Sequence, residues 1–213
     1  RTIKVGSPMF EVLNSQKKNI ANSKILAKLN LESGKYFLVS CHREENVDNK
    51  KNFKLLVESL NELANEYKMP IIFPIHPRTK KTYNKSELKL DKLVNFIDPL
   101  GFIDYNKLQI ESFVVLSDSG TIFEESSILN FRALNIRESH ERPEAIEEAS
   151  VVVTGLKIER ILQGIKMLEN QTTGKNRNIN LVSDYNISNV SIKIERIILS
   201  HIDFVNRVVW QKE

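Results

Sequence analysis

"VLSDSGTIFEESSILN", residues 115–130, begins with apolar residues, breaks at Asp-Ser-Gly and continues with apolar residues at helical spacing. A strand that ends in a small-residue turn and opens a helix is the repeating unit of an open parallel sheet. Such a turn lets a ligand approach the backbone. The N–H groups at the start of the helix carry partial positive charge, so Ser119 and Gly120 mark a place for phosphate. Glu124 and Glu125 follow within two turns and would repel a phosphate if both faced it. At least one therefore has another task, and accepting hydrogen bonds from a ribose diol is the most economical. The turn thus suggests a nucleotide whose phosphates and sugar both touch it. Taken alone, a plainer reading serves better: Ser119 as an N-cap, and two solvated carboxylates favoured by the helix dipole.

The rest of the chain repeats the alternation. "KYFLVSC" (35–41), "PIIFPIH" (70–76), "LVNFID" (93–98), "RALNIR" (132–137) and "SVVVTG" (150–155) read as strands. Helical patterns cover residues 49–68, with Phe53, Leu56, Leu60 and Leu63 on one face, then 77–88, 105–110, 120–129 and 156–168. Strands and helices alternating at this spacing imply right-handed crossovers and a parallel sheet covered on both faces. The fold class is therefore α/β, with a Rossmann-like domain over 35–170. Residues 1–34 read as a crossover segment from a preceding domain. Residues 171–213 comprise the end of a polar stretch, "NQTTGKNRNIN" (170–180), expected as a mobile loop, and a long closing helix over 190–210.

In an open parallel sheet, ligands bind beyond the carboxyl ends of the strands. The turns found there are "CHREENVDN", "HPRTKK", "PLGF", "DSGTIFEE" and "RESHERPE", and all but the third are rich in charged or histidine side chains. That convergence reverses the judgement on the Asp-Ser-Gly turn. His42 could bind a phosphate or transfer a proton, beside Arg43 and Glu44; alternatively the loop is only a surface turn whose Asp48 or Asn49 caps the next helix. His76 could serve similarly, or simply end a strand at His-Pro. Arg142, stiffened by the proline after it, suits a diphosphate, or pairs within its loop with Glu141 or Glu144.

Composition narrows the classes. Of 213 residues 41% are hydrophobic, enough for a packed core, and 31 basic against 27 acidic side chains leave only +4 without a basic block, so nucleic acid is not indicated. A single cysteine, Cys41, allows no internal disulfide and points to a reducing compartment. No apolar run nears the roughly 20 residues of a membrane span, and no signal peptide is recognisable, so a cytoplasmic location is expected. The chain starts at Arg1 rather than Met, which suggests a processed product or a piece of a longer protein. With four histidines and one cysteine a zinc site is not expected, and neither GxGxxG nor GxxxxGK[ST] is present.

"VGSPMFEVL", "HREEN", "HPRT", "DSGTIFEESSILN" and "IRESHERPE" occur in an order and spacing that resembles the non-hydrolysing UDP-N-acetylglucosamine 2-epimerases. The resemblance implies a glycosyltransferase-B architecture of two Rossmann-like domains, of which this chain would be the C-terminal, UDP-binding half. It implies UDP-N-acetylhexosamine as substrate, no cofactor beyond the retained UDP, a missing N-terminal domain bearing several carboxylates, and a homodimer for the whole enzyme. It places His42 and Glu44 in catalysis and Arg43, His76, Ser119, Gly120, Glu125 and Arg142 on UDP. Thr121 and Phe123 depart from the glycine and glutamine of many members. "CHREENVDNKKNF" and "IRESHERPE" look closer to the branch that forms UDP-N-acetyl-L-fucosamine for capsule or O-antigen. Rival readings are a hydrolysing 2-epimerase, a UDP-sugar transferase of the same architecture, and a fragment that only binds. The last helix of such relatives crosses back to the first domain, so the face bearing Ile194, Ile197, Ile198, Ile202 and Val205 is expected to be uncovered here.

Overall fold

The β-branched runs form six strands, all paired in parallel, in a computed structural model that describes residues 2–138 and 142–212. They are β1 Phe37–Ser40, β2 Ile71–Pro74, β3 Val94–Ile97, β4 Val114–Ser117, β5 Ala133–Asn135 and β6 Val152–Val153. Their spatial order is β3-β2-β1-β4-β5-β6. The direction of winding reverses between β1 and β4, and such a switch point opens a crevice at the carboxyl ends of the strands. β1 and β4 run in register from Phe37 opposite Val114 to Ser40 opposite Ser117. The turns after these two strands therefore leave the sheet side by side.

Ten α-helices lie among the described residues: α1 Met9–Asn22, α2 Ile25–Lys28, α3 Glu44–Val47, α4 Lys50–Tyr67, α5 Pro77–Lys85, α6 Phe102–Glu111, α7 Ile122–Leu129, α8 Pro143–Glu147, α9 Ile158–Leu168 and α10 Val190–Phe204. Strand residues feed two cores alternately. Phe37, Val39, Ile71 and Leu116 pack with Phe53, Leu56 and Leu60 of α4 and Ile161 and Ile165 of α9. Leu38, Ile72 and Val115 pack on the other face with Leu108 of α6 and Ile122 and Phe123 of α7. Burial on both faces is why the strands read as unbroken apolar runs. α1, in the segment expected as a crossover, lies against α6 and α7.

Asn49 caps α4, its side-chain oxygen accepting from the N–H groups of Lys51 and Asn52. Asn49→Ala should cost about 1 kcal/mol of stability, read from the midpoint of chemical denaturation.

The stretch 170–180, expected as a mobile loop, is tied down instead. The Asn130 side chain donates to the carbonyls of Gly174 and Asn176, at 3.0 and 2.7 Å. Arg177 donates to the carbonyls of Ser127 and Ile128. The last carbonyls of a helix have no partner within it, and this polar stretch supplies donors for the end of α7. The closing helix forms as α10 but ends sooner than its sequence suggests, passing into a π-helical turn over Val205–Val209. Ile194, Ile198, Leu199, Ile202 and Trp210 are exposed, whereas Ile197 and Val205 are half-buried. No helix of the described residues is long and apolar enough to cross a membrane.

Candidate functional site

Asp118, at the end of β4, is fully buried and organises the crevice. Its Oδ2 accepts from the backbone N–H groups of Arg43 (2.8 Å) and His42 (3.0 Å), from Asn46 Nδ2 (3.2 Å) and from Cys41 Sγ (3.2 Å). Its Oδ1 shares the His42 N–H at 3.2 Å and lies 3.6 Å from His42 Nδ1. Burial pushes the Cys41 thiol well up, with the Asp118 charge adding to it, so the sulfur stays a protonated donor. A buried carboxylate needs this number of donors to remain in place. Sequence reasoning noticed the Asp-Ser-Gly turn for its backbone and passed over Asp118. The available signal was an acidic residue at the end of an otherwise apolar, buried strand.

The turn after β1 is pinned to its other neighbours as well. Arg137, buried at the end of β5 and also missed by sequence reasoning, meets Glu45 Oε1 through its Nε at 2.7 Å. Thr79 Oγ1 donates to the Cys41 carbonyl at 3.0 Å. Glu44 is largely exposed and accepts from Arg78 Nη1 at 2.6 Å, with Asp48 3.9 Å from the same nitrogen. His42 and His76 have ring centroids 6.2 Å apart. His76 also starts α5: its Nδ1 accepts from the Arg78 N–H at 3.2 Å.

At the turn after β4, Ser119 does not cap α7 as an N-cap. Thr121 holds that position, and no side-chain hydrogen bond caps the helix. Ser119 Oγ lies 3.0 Å from Thr121 Oγ1 and 3.3 Å from the Thr121 N–H. The chain must turn two residues further before helical geometry begins, which leaves two hydroxyls beside Gly120. Phe123 is core packing rather than a rim residue.

The two adjacent carboxylates have separate surroundings. Glu124 Oε1 accepts from Ser7 Oγ, and its Oε2 is 3.7 Å from Arg142 Nη2. Arg142 thus reaches α7, whereas Glu144 accepts from the Tyr185 hydroxyl. Ser139, His140 and Glu141, and with them the expected Glu141 pair, lie outside the described residues. Gly6, Ser7, Glu124, Arg142, Glu144 and Tyr185 help to line a cleft of about 400 Å³. Glu125 Oε2 accepts from Gln109 Nε2 at 2.6 Å. Burial holds the Glu125 carboxyl above its ordinary range, against hydrogen bonds from Gln109 and Thr121, and the Glu124 charge adds to the rise. Among the described residues no three His, Cys, Asp or Glu side chains are grouped to hold a metal ion.

The four polar turns expected to converge are therefore joined directly, β1 to β2, β4 and β5, and β4 to β5. Every expected site residue lies in one of them. The arrangement offers hydroxyls, backbone N–H groups and guanidinium groups to an anion, a carboxylate on α7, and two imidazoles within reach of each other.

A family model described as UDP-N-acetylglucosamine 2-epimerase matches residues 1–199. The UDP-N-acetylglucosamine 2-epimerases of Methanocaldococcus jannaschii and Methanococcus maripaludis are each 36% identical, over 140 and 162 residues, or 64% and 74% of this chain and 38% and 44% of theirs. The chain thus spans less than half the length of these relatives. The structure of UDP-N-acetylglucosamine 2-epimerase from Rickettsia bellii superposes with a TM-score of 0.89 at 46% identity, covering 98% of this chain and 56% of that one. The M. jannaschii enzyme in complex with UDP-GlcNAc and UDP gives a TM-score of 0.80 at 30% identity, covering 92% and 54%. With the family model matched over residues 1–199 and close superposition over nearly its whole length, the chain belongs to the UDP-N-acetylglucosamine 2-epimerase family.

Proposed function

We infer that this chain is the UDP-binding half of a UDP-N-acetylhexosamine 2-epimerase, working in the cytoplasm on precursors of capsule or O-antigen. The observation that carries the reading is the cross-linking of four polar turns at the β1/β4 switch point, supported by a relative's complex with UDP-GlcNAc and UDP. Ser119, the backbone at Gly120, Arg43, His76 and Arg142 would hold the diphosphate, and Glu125 the ribose. His42 and Glu44 would act at the sugar. The non-hydrolysing reaction removes the C2 proton as the C1–O bond breaks. The electron pair of the C–H bond forms C1=C2, and UDP leaves with the pair of the C1–O bond. Reprotonation at C2 from the other face and return of UDP to C1 complete the inversion. Between these steps the site must retain UDP, and no cofactor is required.

The preceding domain would supply the proton-handling carboxylates, and the exposed face of α10 would dock on it within a homodimer. The stretches "CHREENVDNKKNF" and "IRESHERPE" favour the UDP-N-acetyl-L-fucosamine branch.

Calorimetric titration with UDP should give saturable binding, weakened about tenfold or more by Ser119→Ala and by Arg142→Ala, each of which removes a hydrogen-bonding group from a phosphate. The full-length protein should invert C2 of a UDP-N-acetylhexosamine. Release of free sugar alone, or its transfer to an acceptor, would replace this reading with that of a hydrolysing epimerase or a transferase.

A further inference from the structure

The two rim histidines are held differently by their Nδ1 atoms. His76 Nδ1 accepts the Arg78 N–H at 3.2 Å, so its proton must sit on Nε2. His42 Nδ1 faces an acceptor instead, Asp118 Oδ1 at 3.6 Å. The Asp118 carboxylate is fully buried, and its Oδ2 is already supplied by four donors. Among the described residues, Oδ1 accepts a share of the His42 backbone N–H at 3.2 Å. The His42 side chain is 45% exposed, but the oxygen it faces is buried; a ring lone pair aimed at that oxygen would be repelled, whereas an N–H would supply a further donor.

We propose that Asp118 is a positioning residue that fixes His42 as its Nδ1–H tautomer while the helix cap fixes His76 as its Nε2–H tautomer, so that the crevice receives one imidazole acceptor and one imidazole donor. The tautomers belong to the free protein; what the two Nε2 atoms act upon rests on the function proposed above. Phosphate oxygens are acceptors, so His76 Nε2–H suits the diphosphate. His42 Nε2 then carries the lone pair, on a side chain that is 45% exposed, and suits a group that gives up a proton. His42 is thereby directed to proton transfer rather than to phosphate binding, and the division follows from one buried carboxylate and one backbone N–H rather than from the ligand.

Long-range ¹H–¹⁵N correlation spectra of the ¹⁵N-labelled protein, at about pH 8.5 where a reference imidazole is neutral, read the tautomers directly. The four histidines are few enough to assign with His42→Gln and His76→Gln. The expected result is Nδ1–H for His42 and Nε2–H for His76, with Asp118→Asn moving His42 toward Nε2–H and leaving His76 unchanged. A wild-type His42 found as Nε2–H overturns the proposal whether or not the variant folds, and so does a tautomer that Asp118→Asn fails to move.

In the full-length enzyme, Asp118→Asn should lower kcat about 100-fold, the smaller end of what a positioned acid or base contributes, with KM changed less than about threefold. Added to His42→Gln it should lower kcat no further; an additional loss would mean that Asp118 acts through something other than His42. UDP should shift the His76 signals. If it shifts no histidine at saturation, the UDP reading of this rim fails while the tautomer result stands on its own spectrum.

Discussion

Uridine binds Glu125→Ala about 10- to 100-fold more weakly than the unaltered protein, the loss expected when hydrogen bonds from two hydroxyls to an ionised carboxylate are removed. Uridine is the ligand of choice because it carries the ribose diol and no phosphate, so neither Ser119 nor Arg142 masks the effect. The pH dependence has a definite sign. Burial raises the Glu125 carboxyl above its ordinary 4.5, the Glu124 charge adds to the rise, and hydrogen bonds from Gln109 and Thr121 oppose it. The Tyr105 hydroxyl of α6 is the other titratable group near it, and burial, with the Glu125 charge, holds that phenol above its ordinary range. Because the folded value lies above the unfolded one, ionising Glu125 costs the folded state. The ligand-free protein therefore gains stability from this group as pH falls into the window just above 4.5. Ribose hydroxyls favour the ionised form, so uridine affinity falls through the same window. Glu125→Ala removes both dependences. Titrations between about pH 4.5 and 8 that find an unchanged uridine affinity in the variant would take the ribose away from this carboxylate.

Phe37→Ala destabilises the protein by about 3–5 kcal/mol, the usual range for emptying a buried aromatic site. Phe37 is fully buried on β1, with the rings of Tyr67 and Phe113 set edge-on at 5.2 and 5.4 Å. β1 pairs with both β2 and β4, so its neighbours are fixed on either side and cannot collapse into the space. At about 2–4 °C per kcal/mol for a domain of this size, thermal unfolding should occur roughly 10 °C lower. Below the transition UDP affinity should persist, because the side chain lies beneath the sheet and not on its rim. A shift of less than about 3 °C would mean that the core relaxes around the missing ring.

Much of this was legible from local pattern. Helix α4 announces itself through Phe53, Leu56, Leu60 and Leu63 at helical spacing, and Asn49 through its place before them. Strand β1 is readable because "FLV" is apolar without alternation. The short helices α3 and α8 were not, since four or five residues carry no periodicity to detect and form only where the rim holds them. Nor could the polar 170–180 stretch be read as anchored, because its partners are the terminal carbonyls of α7 some 50 residues earlier. Within the site, Ser119, Glu125 and Arg142 stood out because turn chemistry and helix-terminus electrostatics are local.

Asp118, Arg137 and Ser7 did not stand out, and the reason is separation along the chain. Asp118 meets His42 across 76 residues, Arg137 meets Glu45 across 92, and Ser7 meets Glu124 across 117. By itself the sequence determined an α/β chain with charged and histidine-rich turns at its strand ends, because strand, turn and helix preferences are set by residues a few positions apart. Only the tertiary structure decided that β1 lies beside β4, and hence that one buried carboxylate organises the histidine turn. Strand order is settled by which faces bury one another, a non-local choice that leaves no periodic mark in the chain.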